Sequence, residues 1–227
     1  MKSSIRNWSV SMLFVFAALG FTAAAQAQSE QQKLVDASDA TLSNFMRDPE
    51  MKWLQQNIHR AKAVLISPEI VKAGFIIGGS GGRGVLVARD GGSGKWVGPA
   101  FYTLATASIG FQAGVAASEM ITLVMTDKGM NSLLSNSFKF GADASVAAGP
   151  VGAGAKSDVV ADLIAFSRSK GIYGGLNLDG TVVSTNDDWN SAFFGKKVLP
   201  PDILVRANVT NKGADKLIAA VAKAATK

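Results

Sequence analysis

Apolar positions along the chain fall into three textures. Residues 12–21 form one unbroken apolar run. From Leu34 to Ile58 the spacing becomes helical: Leu34, Leu42, Phe45 and Met46, then Met51, Leu54 and Ile58, with Trp53 bordering that face. Ser29-Glu30-Gln31-Gln32 has capping-box spacing at the start of this stretch. Asp48-Pro49 restarts it, with Asp as cap and Pro at the first helical position. From Ala63 the period shortens to two, and glycines enter between β-branched and aromatic residues.

This third texture predicts strands. Ala63-Val64-Leu65-Ile66 reads as a short buried strand ending at Ser67-Pro68. Gly74 to Arg89 reads as a strand, a glycine turn and a return strand, and Asp90 to Gly94 as a loop. Between Phe101 and Thr126 the odd positions carry Ala105, Ala107, Ile109, Phe111, Ala113, Val115, Ala117, Ile121, Leu123 and Met125. Even positions carry mostly Thr, Ser, Gly and Gln, so the odd face is expected to be buried. Asp127–Leu134 reads as a short helix, and 138–148 and 163–169 as further strands. Gly171 to Thr185 reads as a second glycine-turn hairpin. The end is helical again, through Trp189, Phe193 and Phe194, then Pro200-Pro201-Asp202, then Leu217, Ala220, Val221 and Ala224. Helices at both ends around an antiparallel, strongly curved or barrel-like sheet make the expected class α+β.

The first apolar run has a different meaning. Lys2 and Arg6 precede it and Ala25-Gln26-Ala27 follows it, which is the layout of a secretory signal cleaved before Gln28. The run is well short of the roughly 18 residues that span a bilayer. Residues 28–227 are then expected as one domain in an exported protein, periplasmic or secreted, able to sit at the edge of a membrane. The formal charge of +6 loses two units with Lys2 and Arg6 and stays positive. That suits anionic surfaces without requiring them. No dense Lys/Arg stripe appears, so nucleic acid is not an expected partner. The sequence holds no cysteine, so disulfides, thiolate chemistry and a lipidated cysteine are excluded, and membrane contact falls to the folded surface.

Catalytic patterns are missing. The single histidine, His59, has no acid at ligand spacing, and no nucleophile elbow occurs. Gly79-Ser80-Gly81-Gly82-Arg83-Gly84 matches the dinucleotide fingerprint in letters, but a strand, Val85-Leu86-Val87, follows where that fingerprint needs a helix. No catalytic, metal or cofactor site is assigned. Two acids stand out. Glu119 is the lone charge on the apolar odd face. It is either turned outward at a strand end, or paired with Arg or Lys, or an acceptor for a bound head group. Asp143 is a lone acid beside a small-residue run.

Several blocks, in order, resemble the SYLF domain family: residues 79–86, 141–152 and 167–175. Trp96 with Pro99-Ala100-Phe101, Gly110 with Gln112 and Gly114, and 190–195 also fit. The resemblance covers about Ala63 to Gly195, flanked by helices over 29–60 and 201–225. It implies non-catalytic lipid binding, with phosphoinositide- and actin-binding relatives in eukaryotes. It also departs from those relatives, since their proline-rich and SH3 regions are absent from this sequence. The expected ligand is anionic phospholipid or a membrane surface. The alternative is an envelope or host-contact protein-interaction module. Actin is disfavoured, because an exported chain does not meet it in its own cell.

Acyl chains need apolar surface, and phosphate needs cations or converging N–H groups. The candidate lipid-binding residues are therefore Lys72, Arg83, Arg168 and Lys170 beside the glycine blocks, with Glu119 and Asp143. The N-terminal helices supply a candidate membrane-contact face in Lys33, Lys52, Trp53, Arg60 and Lys62. Packing of those helices on the core is the competing reading.

Overall fold

The computed structural model describes residues 28–74, 77–109, 114–152, 159–169 and 180–226. The leader expected over residues 1–27 lies outside them, as do Lys170 and the glycines at 171–175. Helix α1 (Glu30–Arg47) starts where the capping spacing places it: the Ser29 side chain accepts from the Gln32 backbone N–H. Asp48 caps the restart, a 3-10 turn at Pro49–Met51 that leads into α2 (Lys52–Asn57).

Four long strands follow: β1 (Ala63–Gly74), β2 (Ile77–Arg89), β3 (Trp96–Ile109) and β4 (Gly114–Val124). Then come α3 (Asp127–Leu134), β5 (Ser137–Lys139), β6 (Val146–Ala148), β7 (Leu163–Arg168) and β8 (Val182–Thr185). The chain closes with α4 (Asp187–Phe194), α5 (Pro200–Leu204) and α6 (Asp215–Ala224). Among the described residues the strands form one curled half-barrel sheet in the order β5-β8-β3-β2-β1-β4-β7-β6. The α+β class with terminal helices is therefore observed. Every pairing is antiparallel except β6 with β7.

Both faces of the sheet centre are buried, because side chains alternate along each strand. On one face, Phe166, Ile121, Ile66, Val85 and Phe101 are successive cross-strand partners and are fully buried. Val35, Leu42 and Phe45 of α1, Leu54 of α2, and Leu217 and Val221 of α6 close over them. On the other face Leu65, Leu86, Tyr102 and Met120 meet Leu133 of α3, Phe138 of β5 and Ile203 and Leu204 of α5. Burial pushes the Tyr102 phenol pKa up, so the ring stays neutral and donates to the Leu133 carbonyl at 2.6 Å.

Four sequence expectations change here. The strand expected to end at Ser67-Pro68 runs through them to Gly74, and 138–148 is β5, a turn and β6 rather than continuous strand. The glycine block at 78–84 is not a turn; it lies inside β2. Beside it β1 carries an irregularity between Ile66 and Glu69, and the two backbones approach closely. A Cβ on Gly82 would stand 2.4 Å from the Glu69 carbonyl oxygen, and one on Gly84 2.9 Å from that of Ile66. The odd face of β3 and β4 is not buried along its whole length either. Phe101, Ile121 and Leu123 are buried, but Ala105 and Ala107 are exposed and Ala117 is half-buried.

The close approach predicts an asymmetry among glycines. Gly82→Ala is expected to cost about 1–3 kcal/mol, because backbone has to give way. Gly91→Ala, with open space around it, is expected to be near neutral. Urea denaturation compares them, and equal midpoints would contradict the packing account.

Candidate lipid-facing site

Three levels follow one another down the helix-covered face of the sheet. The first is the buried row from Phe166 to Phe101. Next comes a polar row: Arg168 opposite Glu119, then, past the β1 irregularity, Glu69 opposite Arg83, Arg83 opposite Thr103, and Thr103 opposite Ser184. The third is apolar again: Ala117, Val71, Gly81, Ala105 and Val182, on five adjacent strands. Ala73, Gly79 and Ala107 extend it by one more step. Among the described residues nothing covers this last level. Val71 is 41% exposed, Val182 is 38% exposed, and Ala73, Ala105 and Ala107 are exposed.

Helix α1 runs beside the polar row from Glu119 to Arg83. Near its C-terminus the Glu119 carboxylate accepts from Thr41 Oγ1 at 2.9 Å and from Arg168 Nε at 3.1 Å. Arg168 Nη2 makes a second contact to the same carboxylate. Its Nη1 lies 3.4 Å from the Asp48 carboxylate, and its guanidinium sits 5.3 Å over the Phe45 ring. Of the readings open for Glu119, the geometry selects the paired acid. Arg168 is correspondingly a cross-brace between helix and sheet, which removes both from the set facing a ligand.

At the other end of the row α1 and the sheet part to form an open groove of about 650 Å³. Glu30, Lys33 and Leu34 line it from α1. Glu69, Val71 and Arg83 line it from the sheet, and Trp189 of α4 closes it. Its size is that of an ordinary small-ligand site. The Arg83 guanidinium stacks 4.6 Å over the Trp189 ring. Lys33 pairs with Glu30 at 2.7 Å, and that hydrogen bond holds the Glu30 carboxyl below its usual range.

The remaining sequence candidates separate. Lys72 does not join Arg83: it faces the opposite side of the sheet, because its partner is Ser80 while that of Arg83 is Glu69. Asp143 is exposed and accepts from the Lys139 backbone N–H at 2.7 Å, which makes it a turn residue. Trp53 is corrected to a core position, 8% exposed, with its ring 5.8 Å from Phe166. Lys52 is exposed on α2, Arg60 donates to Asn57 at 3.0 Å, and Lys62 pairs with Asp127 at 2.9 Å. These three do not line the groove; of the five membrane-contact candidates only Lys33 does. α1 and α2 bury their apolar faces on the sheet, as the competing reading has it. Glu30, Glu69 and Trp189 were absent from the sequence candidates. Trp189 carried the one available signal, as an aromatic in a capped helix.

A protein-family model described as Ysc84, "Las17-binding protein actin regulator", matches residues 105–224, more than half of the chain. The chain belongs to the Ysc84 family. This is the family whose SYLF blocks the sequence resembles. The Ysc84-family relative LAS seventeen-binding protein 3 of Saccharomyces cerevisiae is 32% identical over 145 residues, 61% of this chain and 31% of the relative. Human SH3 domain-containing YSC84-like protein 1 is 28% identical over 152 residues, 65% of this chain and 44% of the relative. The chain thus spans less than half the length of these curated relatives. Membership of the Ysc84 family supports a binding, non-catalytic role.

The cross-brace gives a coupling prediction. Arg168→Ala leaves two carboxylates without their shared cation in a site mostly shielded from water. We expect a loss of about 1–3 kcal/mol, between the costs of surface and buried pairs. In a double-mutant cycle, adding Glu119→Ala should cost much less than it does alone. Additive losses in urea denaturation would show that the pair is not coupled.

Proposed function

We propose that this protein binds anionic phospholipid surfaces without catalysis, through the uncovered apolar level of the sheet and the groove beside it. One observation carries the reading: an exposed apolar sheet face borders directly on a groove that holds Arg83 and Lys33. A lipid surface offers both complements, acyl chains beneath phosphates. The uncovered level is built of small residues and valines on strands, so it meets a surface through strand side chains rather than by inserting a helix. Among the described residues no helix is long and apolar enough to cross a membrane. The leader-like first 27 residues support a role outside the cytoplasm, where envelope lipids or those of a host are the surfaces within reach.

Names in the family favour a second reading. LAS seventeen-binding protein 3 is named for a protein partner, and the same uncovered level could hold a protein strand or surface. Actin co-sedimentation tests the actin version of it.

Vesicle flotation tests the first reading. The protein should float with phosphatidylglycerol-containing vesicles and not with phosphatidylcholine alone. Val71→Asp sets a charge on the docking face and should weaken binding about tenfold, given roughly 1–1.5 kcal/mol of apolar contact forfeited. No flotation, or flotation indifferent to vesicle charge, would sink the proposal.

A further inference from the structure

The groove holds both signs of charge within a few residues. Glu30 and Lys33 stand on the first turn of α1, and Glu69 and Arg83 are directly opposed across β1 and β2. All four line the same space. The Arg83 charge reaches Glu30, adding to the stronger effect of Lys33 on its carboxyl. A ligand carrying only phosphate would gain Arg83 and meet two carboxylates. A ligand carrying only an amine would gain the carboxylates and meet two cations. A ligand carrying both groups leaves neither sign opposed, because each of its charges has a counterpart on the wall.

Stacking on Trp189 restricts where the guanidinium can point, and its N–H groups lie in the plane of the fork. That geometry suits two oxygens of one phosphate. The carboxylates are hydrogen-bond acceptors only, so they favour an ammonium that has N–H groups to donate. A quaternary ammonium has none. Apolar wall from Leu34 and Val71 continues from the groove onto the uncovered sheet face, which gives attached acyl chains a path to the bilayer.

Resting on the phospholipid reading, we propose that the groove seats one headgroup that carries a phosphate and a primary ammonium together. Arg83 takes the phosphate, and Glu30 with Glu69 takes the ammonium. The wider positive charge of the protein then governs approach to an anionic surface, and the groove selects which lipid is held there. These two contributions differ in their response to salt. Long-range attraction between exposed charges fades as the Debye length shrinks to about 3 Å at 1 M salt. Direct contacts inside the groove outlast it.

Flotation separates them. Two vesicle sets are matched in phosphatidylglycerol, with the remainder containing either phosphatidylethanolamine or only phosphatidylcholine. At about 1 M salt the ethanolamine set should retain roughly fivefold more protein. The combined Glu30→Gln and Glu69→Gln variant should bring that ratio to one, and Arg83→Ala should remove the high-salt binding itself. All three side chains are exposed, so unchanged thermal melting is expected and checks that the variants fold. Equal retention on both sets overturns the headgroup inference, as does a preference that survives the double glutamine variant. If binding at low salt is intact while that preference is missing, the phospholipid reading stands and only this inference fails. If no vesicle binds at any salt, both fail together.

Discussion

A sheet that buries one row of apolar side chains and leaves the next uncovered needs a change of environment between them. The Arg168–Glu119 pair stands at that change. Above it, helices α1, α2 and α6 seal the core; below it, the same face of the same strands is open. The pair also reaches Thr41 and Asp48, so it fixes the height at which α1 crosses the sheet. The β1 irregularity between Ile66 and Glu69 lies at this level. It sets which residues of the second half of β1 look toward α1: Glu69 and Val71 do, and Lys72 does not. Groove and uncovered apolar level both follow from that one shift.

Among the described residues, the glycines of β2 have a structural task in this arrangement. Gly82 and Gly84 let β2 pass within backbone contact distance of the irregular stretch of β1. Beyond it, Gly79 and Gly81 stand beside alanines and valines of the neighbouring strands, and this face of the sheet becomes apolar. The family assignment supports a binding role, and in the proposed reading strands make the binding surface. In the proposed reading, lipid selectivity rests on a few side chains at the rim, Arg83 foremost.

Much of the fold was legible because its signals are local. The Ser29 cap, the Asp48-Pro49 restart, the start of the first strand at Ala63 and the Asn186-capped helix depend on near neighbours in the chain. The site was harder, because its residues meet only through strand register. Strand parity is preserved until a bulge flips it, so no count along the sequence shows that Lys72 and Arg83 look in opposite directions. Period two between Phe101 and Thr126 correctly marked strands, yet it could not tell a face covered by α1 from one left open. The glycine block reads as a turn in sequence because glycines carry no side-chain alternation to reveal a strand. Glu69 escaped notice because its significance is the arginine across from it.

The central claim is that one face of the sheet extension, and not the other, meets lipid. The protein has no cysteine, so a single fluorophore can be placed by substitution. Ala107→Cys puts it on the uncovered apolar face and Ser80→Cys on the opposite face. On anionic vesicles containing lipids brominated in the acyl chain, the label at 107 should be strongly quenched and the label at 80 should not. Equal quenching at the two positions, or none at 107 while the protein is vesicle-bound, would contradict the account.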